Sequence, residues 1–249
     1  MIWDVSIRKR LAQGKRSFSL DVQFASDAKR LVLFGPSGAG KSQTLQMLAG
    51  LSTPDDGHIR LQERTLFDSA KRIAMPPQQR AVAYLFQDYA LFPHLTVSQN
   101  IGFPLRPGLF NPRRKLQDER VARWLAAFEL EAVAHHYPDQ ISGGQRQRAA
   151  LARALGAEPR ALLLDEPFAA LDRGLRARLR RELAELQARL DIPMMLITHD
   201  EEDVACFADA VIRISNGCTM AHEAPDVDDE SGAASLGISA PYATCSTPA

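Results

Sequence analysis

The sequence predicts an α/β fold in which a mostly parallel sheet core carries an antiparallel β subdomain and an inserted helical lobe. Three observations predict it. Short apolar runs at 30–34, 161–164 and 194–198 alternate with helical patterns, as strands buried on both faces of a parallel sheet do. Residues 1–34 alternate instead: Trp3, Val5 and Ile7, then Phe18, Leu20, Val22 and Phe24, sit between polar neighbours, the period of strands with one wet face. From Asp88 the pattern changes again, with Pro93, Pro104, Pro107 and Pro112 breaking the chain and helical spacing following them. A chain of 249 residues can bury a sizeable core.

Taken in order, the run 30–34 leads into Gly35, Pro36, Ser37, Gly38, Ala39, Gly40, Lys41 and Ser42, and 43–49 then reads as a helix stopped by Gly50. A turn over 52–57 precedes a short strand at 58–61, and a loop at 75–80 precedes a strand at 82–86 that ends at Gln87. In the lobe, about 88–155, Leu116, Val121, Trp124, Leu125 and Phe128 recur at helix spacing. Residues 141–144 interrupt it and a helix restarts at Gln145. A strand at 161–164, a long charged helix at 173–190, a strand at 194–198, a helix at 201–208 and a strand at 210–214 complete a domain expected to span 1–221. The acidic and then small-residue stretch 222–249 reads as a disordered tail.

Thirty basic and thirty acidic residues balance, which argues against a general binder of nucleic acid or anionic membrane. No apolar run approaches the roughly 18 residues a membrane helix needs, and no signal peptide is expected, so any membrane role runs through a partner. Cys206, Cys218 and Cys245 have no metal or redox spacing and read as reduced thiols.

The 35–42 stretch fits G-x-x-x-x-G-K-[ST], and its strand–loop–helix context gives the match physical meaning. Glycines let successive backbone N–H groups turn inward, and the helix N-terminus adds partial positive charge, so the loop can hold a polyphosphate. Lys41 would reach the β- and γ-phosphates and the Ser42 hydroxyl would ligand Mg²⁺, which makes the fold class a P-loop NTPase. The strand at 161–164 ends in Asp165 and Glu166, where the first can support Mg²⁺ and the second can polarise an attacking water. Ser142, Gly143, Gly144 and Gln145, ahead of a helix, form a second anion cradle. One nucleotide loop with two cradles makes sense if the second serves a nucleotide held by another copy.

Together these residues resemble the ATP-binding cassette ATPases over about 1–220. Ser142-Gly143-Gly144-Gln145, the Asp165/Glu166 strand, Ala170-Leu171-Asp172 and Thr198-His199-Asp200 match in type, order and spacing, and Gln87 sits where the family has its lobe-linking glutamine. The resemblance implies ATP and Mg²⁺ as ligands, with residues 35–42 around the phosphates and Ser42, Gln87 and Asp165 serving the metal. It implies that Glu166 is the general base, that Gln87 also contacts the attacking water, and that His199 senses the γ-phosphate. Ser142 and Gly144 would contact the γ-phosphate across a head-to-tail dimer, and Asp172 would couple the two sites. The implied partners are a second ATPase subunit, an integral-membrane permease on whose cytoplasmic side the subunit sits, and a substrate-binding protein, with no nucleic acid.

The sequence lacks membrane helices, a long coiled coil before 142–145 and internal repeats, which favours a stand-alone importer subunit over other cassettes. Tyr89, Leu91 and Phe92 follow Gln87 in a loop costly to expose. In the family this region lines the groove for the permease's coupling helix, and the other reading is internal packing. Pro76-Pro77-Gln78-Gln79-Arg80 resembles importers of small anions, sugars, polyamines and iron, and Leu66-Phe67-Asp68-Ser69-Ala70 looks most like the molybdate importer ATPase. The expected solute is molybdate or a related oxyanion, with sulfate, polyamine, sugar or iron as alternatives. A non-transport ATP switch on a soluble partner is the reading from another class. A phosphoryl-transfer kinase would leave 142–145 without a role. Two departures stand out. No aromatic lies in 9–14, where the family stacks adenine, so weak discrimination between ATP and GTP is expected. The small C-terminal β domain of molybdate-type ATPases is not expected within 222–249.

Overall fold

The computed structural model describes residues 1–13, 16–105, 118–169 and 173–220. The expectations for Leu116, for Asp172 and for the 222–249 tail lie outside these residues. The chain divides into two compact units, one of residues 1–80 with 195 onward and one of 81–194.

The first unit begins with the hairpin β1 (Trp3–Gln13) and β2 (Arg16–Ser26), paired so that Val5 faces Phe24 and Ile7 faces Val22. These four side chains are buried, as the alternation predicts. Lys9 falls on the same inner face, and its ammonium reaches out to Thr53 O (2.6 Å) and Asp55 (3.2 Å). β4 (Asp56–Leu61) pairs antiparallel with β1 on one side and with β5 (Arg64–Asp68) on the other, and β6 (Ile73–Ala74) extends this edge. The strand expected at 58–61 therefore starts earlier, and β5 is a strand the sequence reading did not assign. The hairpin turn between β4 and β5 is Gln62-Glu63, with Gln62 at φ 54°, and lacks the Asn-Gly or Asp-Gly signal of such turns.

β3 (Arg30–Phe34) pairs in parallel with β10 (Ala210–Ser215) and neighbours β9 (Met194–Thr198), and all the β9 residues are buried. The short β11 (Cys218–Thr219) joins β10 to β2. The unit thus combines an antiparallel ribbon with parallel strands. Its helices are α1 (Lys41–Ala49), α2 (Pro77–Arg80) and α7 (Glu201–Phe207). Arg80 is buried at the end of α2 and donates to Met47 O (2.6 Å), Leu48 O (2.9 Å) and Met75 O (2.8 Å). It thereby closes the C-terminal carbonyls of α1. Burial alone pulls its guanidinium down to a pKa of about 10.

The second unit pairs β7 (Val82–Leu85) in parallel with β8 (Ala161–Asp165), every residue of which is buried. Its helices are α3 (Val97–Gly102), α4 (Glu119–Ala127), α5 (Gly143–Gly156) and α6 (Arg173–Leu190), with α5 packed against α3, α4 and β7. α4 buries Val121 and carries Phe128 inward just past its end, which is the helix spacing the sequence shows. Asn100, fully buried, ties the loop before α3 together by donating to Phe92 O (3.2 Å), Leu95 O (3.1 Å) and Thr96 O (3.1 Å) and accepting from Phe92 N (2.9 Å).

Candidate nucleotide site

The phosphate loop connects the buried strand β3 to α1. A side chain at Gly35 would run into the Ile214 carbonyl of the neighbouring strand, so only glycine allows this close approach. Gly40 takes φ 99° at the start of α1 and supplies no side-chain cap, so the first turn of the helix presents its N–H groups to the loop's concave side. Ala39 is buried, whereas Pro36, Ser37 and Gly38 are exposed. Lys41 is 4% exposed and its ammonium donates to Gly35 O (2.7 Å) and Pro36 O (2.9 Å). A buried ammonium at the mouth of such a loop favours an anionic acceptor, so the loop fits a phosphate.

His199 follows β9 in the same unit. Thr198 Oγ1 donates to the buried Asp203 carboxylate and accepts from Asp200 N (3.0 Å), and Asp200 caps α7 by accepting from Glu202 N (2.9 Å). This lock presents His199, exposed, to a cavity of about 340 Å³ lined by Gly35, Pro36, Phe34, Arg213, Ile214 and Ser215 among others. The structure therefore brings His199 together with the start of the phosphate loop. An aromatic ring also reaches the loop: Phe18 lies with Leu20 where a side chain on Gly40 would have to go. The sequence reading looked for an aromatic only in 9–14. Phe18 stands across the hairpin from Leu11, on the inner face that its alternation already marked.

In the second unit, Asp165 ends β8 buried, and Tyr84 Oη donates to its Oδ2 at 2.7 Å. Glu166 is half-buried and holds φ 44°, a left-handed backbone that costs a non-glycine residue roughly 1–2 kcal/mol. Such strain collects at functional turns. Gln87, exposed, leaves β7 one residue after Phe86. The loop beyond it has Tyr89 at φ 63° and Ala90 at φ 43°, and Arg153 of α5 donates to both of their carbonyls (3.1 and 2.8 Å). Tyr89 is buried, and burial raises the pKa of its phenol. Phe92 is half-buried against Phe103, with ring centroids 4.5 Å apart. Internal packing therefore claims Tyr89, and the exposed phenyl rings of this region are Phe86 and Phe103.

Ser142 is the N-cap of α5 and makes a capping box, Oγ accepting from Gln145 N (3.2 Å) while Gln145 Oε1 accepts from Ser142 N (2.9 Å). The S-x-x-Q spacing announces this box, and the sequence reading passed over it. Thr96 and Gln99 make the same box at α3. Ser142 is exposed and Gly143 and Gln145 are half-exposed, while Gly144 is buried. A capping hydroxyl oxygen still carries its own hydrogen to donate outward.

Ser42, Gln87 and Asp165 offer hydroxyl, amide and carboxylate oxygens, the hard donors that Mg²⁺ takes, and one or two carboxylates with substrate phosphates suffice for that ion. No group of three or more His, Cys, Asp or Glu side chains gathers among the described residues.

Residues 19–169 match the ABC transporter family. The trehalose/maltose import ATP-binding protein MalK of Thermococcus litoralis is 39% identical over 211 residues, covering 85% of this chain and 55% of that protein. The sulfate/thiosulfate import ATP-binding protein CysA 2 of Agrobacterium fabrum is 42% identical over 202 residues, covering 81% of this chain and 57% of that protein. The chain thus spans little more than half the length of these relatives. Among solved structures, the dimeric structure of MJ0796, a bacterial ABC transporter cassette, is similar at TM-score 0.71 and 27% identity, over 88% of this chain and 96% of that one. With the ATP-binding cassette fold matched and the family match covering more than half of its residues, the chain belongs to the ABC transporter family.

Proposed function

We propose that this chain is the ATP-hydrolysing subunit of an importer, working with Mg²⁺ on ATP and driving a separate integral-membrane permease. The observation that carries this reading is the phosphate loop: a helix N-terminus without a side-chain cap behind Gly40, with the buried Lys41 ammonium on the Gly35 and Pro36 carbonyls of the loop itself. Lys41 and Ser42 bind the phosphates, with Ser42, Gln87 and Asp165 also holding the metal. The metal, when bound, neutralises charge that develops on the phosphates. Glu166 takes the proton of the attacking water, Gln87 orients that water, and His199 reads the γ-phosphate. Two copies close head to tail, so that Ser142 and Gly144 of one face the nucleotide of the other. The dimeric cassette named among the similar structures supports the pairing of two copies.

The solute is proposed to be a small oxyanion. The sulfate/thiosulfate relative supports that class, the trehalose/maltose relative supports a sugar as the alternative, and molybdate rests on the 66–70 segment alone. No described helix is long and apolar enough to cross a membrane, so a peripheral place on the cytoplasmic face requires the permease. Purification of the tagged chain from detergent-solubilised membranes tests the reading. A polytopic membrane protein at stoichiometric yield, with phosphate release from ATP dependent on Mg²⁺, is the expected result. A stoichiometric soluble partner and no membrane protein would favour an ATP switch instead.

A further inference from the structure

β7 and β8 run in parallel with Tyr84 opposite Leu163, and Leu163 shares a sheet face with Asp165 two residues on. The register therefore puts the Tyr84 ring beside the strand end that carries the carboxylate. Its O–H reaches Asp165 Oδ2 at 2.7 Å, the ordinary length of an O–H···O bond. The same ring packs on Phe86 with centroids 4.5 Å apart and planes at 54°. Phe86 is the residue before Gln87. One side chain thus touches both the carboxylate at the end of β8 and the root of the Gln87 segment.

We propose that Tyr84 is a positioning residue for Asp165, and that its ring ties the orientation of that carboxylate to the Gln87 segment through Phe86. The proposal rests on the reading of Asp165 as the carboxylate that supports the metal. Holding Oδ2 restricts rotation about the last side-chain bond, so the direction in which a cation meets the carboxylate is set before the cation arrives. Partners of metal-binding carboxylates typically contribute about ten- to a hundredfold in metal affinity. A movement of the Gln87 segment that shifts Phe86 would move Tyr84 and loosen that hold.

Mn²⁺ binding to the nucleotide-loaded chain, followed by electron paramagnetic resonance, tests this with Tyr84→Phe, Phe86→Leu and Asp165→Asn. Tyr84→Phe keeps the ring and removes only the O–H. The expected result is an Mn²⁺ Kd raised about tenfold or more, with nucleotide affinity in the absence of metal unchanged; a loss of packing would weaken the binding of both. Phe86→Leu should raise the Mn²⁺ Kd less, and combining it with Tyr84→Phe should add nothing. Wild-type Mn²⁺ affinity in Tyr84→Phe, with affinity lost in Asp165→Asn, overturns the role of Tyr84 and leaves the metal reading standing. Wild-type affinity in Asp165→Asn overturns both. An unchanged Phe86→Leu overturns the link to the Gln87 segment.

Discussion

The starts of α1 and α5 are both glycine-bearing helix N-termini, yet they are finished in opposite ways. At α1, Gly40 sits left-handed at the cap and offers no side chain to the N–H groups of the first turn. At α5, Ser142 and Gln145 satisfy each other, so that end is already closed and exposes only a hydroxyl and glycine backbone. The difference separates a primary anion site from an auxiliary contact. A helix end without a side-chain cap and with a lysine beside it favours an anion, whereas a capped end can touch one without depending on it.

The largest effect should come from neither helix but from the residue proposed as the general base. Glu166→Gln should cut turnover by about 10²–10⁴-fold, the usual worth of general-base help, with ATP still bound; hydrolysis at the wild-type rate would remove Glu166 from that role. Lys41→Met should weaken nucleotide binding by roughly ten- to a hundredfold, since bonds to charged groups contribute about 1.5–3 kcal/mol, read by titration with a fluorescent ATP analogue. The capped end should respond more mildly and in two ways. Ser142→Ala and Thr96→Ala each lose one box and about 1 kcal/mol of stability, so thermal melts should fall by a similar few degrees. Only Ser142→Ala should also slow hydrolysis. Equal hydrolysis in the two variants would reduce Ser142 to a cap. The smallest effect concerns the base: without an aromatic in 9–14, ATP should be preferred over GTP by less than about a hundredfold in competition binding. A larger preference would direct attention to Phe18, which lies beside Gly40.

What was legible in the sequence was local. The phosphate loop, the strand ending in Asp165 and the 142–145 segment each declare themselves within a dozen residues, and their strand and helix contexts came with them. The pairing of Tyr84 with Asp165 spans 81 residues, and no spacing rule announces which tyrosine a strand register will bring to a carboxylate. Phe18 was visible as an inward-facing residue, but its approach to Gly40 depends on how the hairpin packs over the loop. β5 was missed because its turn, Gln62-Glu63, uses ordinary residues. Tyr89, with Leu91 and Phe92, reads from the sequence either as the lining of a partner's groove or as internal packing, and the Arg153 guanidinium that gathers its backbone inward lies 64 residues away.

The central claim is that α5 completes a site whose nucleotide is held by another copy. Specific ATPase activity of the chain, measured per subunit against protein concentration at saturating ATP and Mg²⁺, tests it most directly. The account predicts low activity in dilute solution that rises with concentration, and rises less steeply in Ser142→Ala. Activity per subunit that stays constant over a hundredfold dilution would contradict it.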